Sequence, residues 1–177
     1  MPISKTVSEA LRRLGAFVFV LTACSGSSVD ARAPRGHTHI PRSFDFVAID
    51  GTRFDTKRTL GRSTVVVFIT TYDLGSQVVV RELGAVVRQR TPRINAGAVV
   101  LEPPKNAPLV EAYAASLELP FPVALADQAT LESRGAFGPI DVVPTTIMLD
   151  KDGNEVWRRE GSMTRTALEH ALDSNLR

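Results

Sequence analysis

The feature that most constrains the fold is an unbroken run, Val65-Val66-Val67-Phe68-Ile69, set between Thr64 and Thr70. β-Branched and aromatic side chains fit a pleated strand and lose rotamer freedom in a helix. A strand with one wet face alternates apolar and polar residues. This run does not alternate, which suits a strand covered on both faces.

The flanking patterns supply the cover. Phe44, Phe46 and Ala48 alternate with Asp45, Val47 and Ile49 before an Asp50-Gly51 turn, which reads as a hairpin. Gly75 to Arg90 carries Val80, Leu83 and Val87 at helical spacing, widened by Val79 and Val86. Ala96 to Leu101 reads as a second buried strand, Leu109 to Leu117 as a helix, Phe121 to Leu125 as a short strand and Ala129 to Phe137 as a short helix. Thr145 to Leu149 turns through Asp152-Gly153 into Glu155-Val156-Trp157, a second hairpin. Thr164 then caps a last helix with Leu168, Ala171 and Leu172 facing inward. The order predicts an α/β fold with a mixed central sheet, helices on both faces and right-handed crossovers. Residues 42–177 are long enough for one core, and no repeat divides them.

The first 41 residues read differently. Lys5, Arg12 and Arg13 precede an apolar stretch, Leu14 to Ala23, that is too short to span a bilayer and fits a signal-peptide core. Leu21-Thr22-Ala23-Cys24 resembles a lipobox, which implies cleavage before Cys24 and lipidation of that residue, the only cysteine in the chain. More than one acyl chain makes such an anchor stable. The expected division is a lipoprotein signal over 1–23, a lipidated cysteine and flexible tether over 24–41, and the folded domain over 42–177. Ser25, where an aspartate would favour inner-membrane retention, leans the expectation towards the periplasmic side of the outer membrane.

The charge balance fits that division. The whole chain has 21 Lys+Arg against 19 Asp+Glu. Lys5, Arg12, Arg13 and Glu9 leave with the leader, so the mature chain carries equal numbers of each sign. No basic stripe is interleaved with aromatics, and nucleic-acid binding is not expected. His37 and His39 in the tether have no neighbouring ligand to complete a coordination shell, so neither a metal nor another cofactor is expected.

Within the domain, Phe44-Asp45-Phe46, Asp50-Gly51, Leu60-Gly61-Arg62 before Val65–Phe68, Pro122-Val123, Val143-Pro144-Thr145-Thr146 and Leu149-Asp150 with Asp152-Gly153 occur in a telling order. The chain resembles the TlpA/ResA-type branch of the thioredoxin-like superfamily, membrane-tethered exported proteins related to those of cytochrome c maturation. The resemblance implies a three-layer thioredoxin-like fold and a cis-proline loop at Val143-Pro144. It also implies two redox cysteines at the start of the first long helix. Those positions, aligned on Phe68, hold Asp73 and Ser76; Tyr72 stands where an aromatic precedes the first cysteine, and Val79 and Arg81 replace a common glutamate and proline.

A thiolate attacks a disulfide through a mixed intermediate; a carboxylate cannot, and Ser76 has no adjacent base. Asp73 is therefore expected as a helix N-cap, with a ligand-binding carboxylate as the sharper alternative. The expected site is a binding edge formed by Tyr72, Asp73, Ser76, Val143, Pro144 and Thr145, without a catalytic residue. It would take a periplasmic protein or peptide, while the lipid at Cys24 holds the membrane. The alternatives are the family's thiol-disulfide oxidoreductase or peroxidase activity and a metallochaperone-like module.

Overall fold

The computed structural model describes residues 41–175, so the expected leader, Cys24 and the tether histidines His37 and His39 lie outside the described residues. The described chain opens with β1 (Asp45–Val47) and β2 (Arg53–Asp55), an antiparallel pair with Phe46 opposite Phe54. Their turn holds Gly51 at φ +80°, a left-handed conformation open to glycine. Asp50 Oδ1 stiffens it by accepting from the Thr52 amide and hydroxyl at 2.9 and 2.7 Å. A single helical turn, α1 (Thr56–Thr59), follows with Asp55 as its N-cap; the sequence reading had no element there.

The main sheet contains β3 (Ser63–Ile69), β4 (Ile94–Val100), β5 (Val123–Leu125), β6 (Thr145–Leu149) and β7 (Glu155–Glu160) in the order β5-β4-β3-β6-β7. The Val65–Ile69 run is the middle strand and is fully buried. It pairs parallel with β4 and antiparallel with β6. Side-chain alternation splits it between two cores: Val65, Val67 and Ile69 face one cluster, Val66 and Phe68 the other.

The first cluster is the helical side. It takes Val79, Val80, Leu83, Val86 and Val87 from α2 (Leu74–Arg90), Val110 and Tyr113 from α3 (Ala107–Ser116), and Leu168, Ala171 and Leu172 from α5 (Arg165–Asn175). The parallel steps β3-α2-β4 and β4-α3-β5 move the same way across the sheet, so right-handed crossovers put both helices on one face. At the far end of α2 the helix stops at Thr91, the residue before Pro92, and the Thr91-Pro92 peptide is cis. A 3₁₀ turn, Pro104–Asn106, leads into α3.

The second cluster is aromatic. Phe44, Phe46 and Phe54 of the hairpin pack with Phe68 and Phe137, whose ring centroid lies 5.3 Å from Phe44 and 5.2 Å from Phe68. The helix expected over Ala129–Phe137 is here only α4 (Gln128–Leu131). Ser133 turns left-handed at φ +60° and Gly135 lies so close to Thr130 that a Cβ would collide. That reversal is what returns Phe137 to the sheet. The layer opposite the long helices therefore consists of the hairpin and the connection following α4.

Candidate functional site

β3 ends at Ile69, and Thr70 to Asp73 carry the chain into α2. A loop at the mouth of a sheet must satisfy its backbone amides, and side chains take up those of Thr70, Thr71 and Ser76. The Thr70 amide donates to Ser76 Oγ at 3.3 Å. The Thr71 amide and hydroxyl both donate to Glu102 Oε1 at 2.6 Å. The Ser76 amide donates to Asp73 Oδ2 at 2.6 Å. Asp73 is thus the N-cap of α2, as the blander expectation for it held. Bonding from the Ser76 side chain, then from its amide, holds the Asp73 carboxyl below the ordinary carboxylate range.

Ser76 is fully buried and serves as a strut between Asp73 and Thr70. Tyr72 is the opposite case, with 82% of its surface exposed, and Leu74 on the other side of Asp73 is 74% exposed. With the loop backbone tied down, these two apolar side chains are left pointing at solvent.

The Val143-Pro144 peptide is cis, and the loop meets the start of α2 directly. A Cβ placed on Gly75 would lie 3.3 Å from Pro144 Cδ and 3.2 Å from Asp73 Oδ2. Pro144 and Thr145 are buried, Val143 is partly buried, and Val142 is 41% exposed. Thr145 Oγ1 donates to the Val142 carbonyl at 2.6 Å, and the Gly161 amide donates to the Pro144 carbonyl at 2.7 Å. Of the six expected edge residues, Asp73, Ser76, Pro144 and Thr145 are engaged by these contacts, and Val143 is partly buried. Tyr72 alone is a side chain offered outward, and Leu74 and Val142, which the sequence reading did not name, extend its apolar surface. Val78, four residues after Leu74 and on the same helix face, continues it.

Sequence reasoning also missed Glu102. It is buried just beyond the end of β4, accepts from Thr71 through one oxygen and from Asn106 Nδ2 at 2.7 Å through the other. Burial pushes its carboxyl upward, but the bonds from Thr71 and Asn106 prevail and it sits below its ordinary value. The signal was an acid directly after the Ala98-Val99-Val100-Leu101 run, at the sheet end where β3 also finishes. Tyr113 of α3 belongs to the same neighbourhood. Its buried hydroxyl has no hydrogen-bond partner among the described residues. Burial, with the Asp73 and Glu102 charges behind it, pushes its ionisation up to about 12.

Chemically, the edge offers two carboxylates held ionised by hydrogen bonds and no thiol at either cysteine position of the resemblance. Among the described residues no three His, Cys, Asp or Glu side chains are grouped to hold a metal. No helix among them is long and apolar enough to cross a membrane.

No protein-family model matches the sequence, and no curated protein matches it. Solved structures do. A thiol:disulfide interchange protein of the thioredoxin family from Chlorobium tepidum TLS aligns with a TM-score of 0.66 at 23% identity, over 81% of this chain and 99% of its own. StoA from Bacillus subtilis aligns at 0.60 and 20%, over 75% and 98%. A secreted disulfide oxidoreductase from Mycobacterium tuberculosis aligns at 0.62 and 15%, over 75% and 96%. The structural neighbours thus include a thiol:disulfide interchange protein and a disulfide oxidoreductase, this chain has a single cysteine, and its fold is thioredoxin-like.

Proposed function

We propose that this is an exported, lipid-anchored thioredoxin-like protein that exchanges no disulfides and holds a segment of a periplasmic protein at the Tyr72–Pro144 edge. In this reading residues 1–23 are the lipoprotein signal, Cys24 carries the lipid, 24–41 are the tether and 42–177 are the binding domain, on the outer membrane by the lean of Ser25. The observation that carries the binding role is the exposed pair Tyr72 and Leu74, on a loop anchored through the Thr70, Thr71 and Ser76 amides. Exposed apolar surface of this kind marks interaction sites, and tyrosine is a favoured anchor because its rigid ring buries area at low entropy cost. The neighbours' names supply the redox background. The replacement of both cysteine positions by Asp73 and Ser76, each with a structural bond to make, is what argues that exchange has been given up.

The test is photo-crosslinking in cells with a benzophenone side chain at Tyr72, against the same group at exposed His170 on α5. One recurrent protein adduct at Tyr72, absent at His170 and lost on Val142→Asp, is the expected result. Equal adducts at both sites, or none that responds to Val142→Asp, would remove the edge from consideration.

A further inference from the structure

We infer that a second surface, the cleft between α2, the turn after α3 and the start of α5, binds a phosphate-bearing anion. The cleft has a volume of about 380 Å³, within the range of small-ligand sites. Its wall on α2 is Arg81, Gly84, Ala85 and Arg88, residues that helical spacing places on one face. The two arginines stand about 10.5 Å apart along the axis. Gly84 and Ala85 occupy the interval, and the Pro120 ring and the Arg88 guanidinium fold over Gly84. Opposite stands Arg165, the first residue of α5, where the unpaired amides of a helix start add partial positive charge.

The local charges neutralise this arrangement only in part. Arg165 Nε meets Glu82 Oε2 at 2.9 Å, which leaves its two terminal nitrogens without a bond among the described residues. Arg88 Nη2 donates to the backbone carbonyl of Glu118, an uncharged acceptor that orients the guanidinium without cancelling it. Arg81 is exposed and makes no ion pair or hydrogen bond among the described residues. Glu118, also on the rim, makes no carboxylate ion pair among them either. Three guanidiniums thus face two carboxylates, of which one is engaged.

Guanidinium groups present planar forks that match phosphate oxygens two at a time. A group with at least two negative charges and several oxygens can fill more than one such fork, whereas a single carboxylate fills one. The cleft begins about two helical turns beyond Asp73 and is separate from the Tyr72–Pro144 edge. Its occupant is either a free phosphate-bearing anion or the headgroup of an anionic phospholipid.

The full chain carrying Cys24→Ala, so that no lipid attaches it to membranes, would be titrated with inorganic pyrophosphate by calorimetry, and sedimented with vesicles of phosphatidylglycerol or of phosphatidylcholine. Saturable pyrophosphate binding is expected. Arg81→Gln with Arg165→Gln should weaken it by about tenfold or more, given what charge-assisted hydrogen bonds contribute. Arg159→Gln, on the exposed end of β7, should leave it unchanged. Should the double variant melt differently from the parent, Arg81→Gln alone carries the comparison with a several-fold loss. Phosphatidylglycerol binding that falls in the same variants assigns the cleft to a lipid headgroup; pyrophosphate binding without vesicle binding assigns it to a free anion. Binding equal in parent and variants, or absent with both probes, overturns the proposal.

Discussion

Asp73 and Glu102 are carboxylates that work by staying ionised. Asp73 receives the first turn of α2, and its replacement by alanine should cost about 1 kcal/mol, within the usual range for an N-cap. Its folded-state ionisation lies below the ordinary value of 3.8, so its contribution is complete above that pH and is lost as pH falls through the lower folded value. Denaturant melts of parent and Asp73→Ala should therefore differ at pH 7 and converge in strong acid. Glu102 ties the loop before α2 to the loop before α3 through Thr71 and Asn106. Glu102→Gln sets an amide NH₂ against one of those donors and should cost about 1–3 kcal/mol. Amide exchange should speed up at Thr71 first; a uniform change across the domain would contradict this local role. Neither role was fully legible in the sequence. The Asp73 cap spans three residues and could be read from spacing. The Glu102 bond reaches back 31 residues, a distance no local pattern encodes.

At the scale of elements, the readable ones were those whose pattern is set by burial alone. Val65–Ile69, the alternation of Phe44, Phe46 and Ala48, and the inward valines of α2 all report which side faces a core. Elements set by a particular long-range fit were not readable. The α4 segment ends early because the chain must reverse at Ser133 to deliver Phe137 to the aromatic cluster. The hairpin seats on the sheet because β4 has a glycine where Phe54 lands. Any Cβ at Gly97 would collide with that ring, so Gly97→Ala should destabilise by about 1–3 kcal/mol, the usual range for overpacking. Loss of near-ultraviolet ellipticity from the phenylalanine cluster should accompany the lower melting temperature. An unchanged melt would mean that Phe54 is free to move away.

For the whole molecule, the main expectation follows from the proposal that disulfide exchange has been given up. Purified protein carrying Cys24→Ala should show no reduction of insulin disulfides in the presence of dithiothreitol beyond the reagent alone, since no thiol then remains in the chain. Asp73→Cys with Ser76→Cys, tested in that background, should restore an oxidisable pair, seen as two thiols lost to iodoacetamide after oxidation. The outline of the fold was legible at this scale because the motifs fell in order along the chain. The placement of Arg165 against Arg81 and Arg88 was not, because it follows from how α5 returns across α2.

The opening segment crosses the breadth of the sheet. Pro41 bridges Asn154 and the Arg42 amide bonds the Gly153 carbonyl beyond β6, while Ala48 bridges Ala124 and the Ile49 amide bonds the Val123 carbonyl on β5 at the other edge. These contacts join residues more than 70 and more than 110 positions apart. Contacts of that span form late, because loop closure must precede any reward for it. During synthesis the hairpin phenylalanines emerge well before Phe137, Ile147 and Leu149, which complete their cluster. The polypeptide therefore has no complete native refuge for its first core residues until nearly all of it exists. Until then those side chains stay open to whatever binds exposed apolar segments.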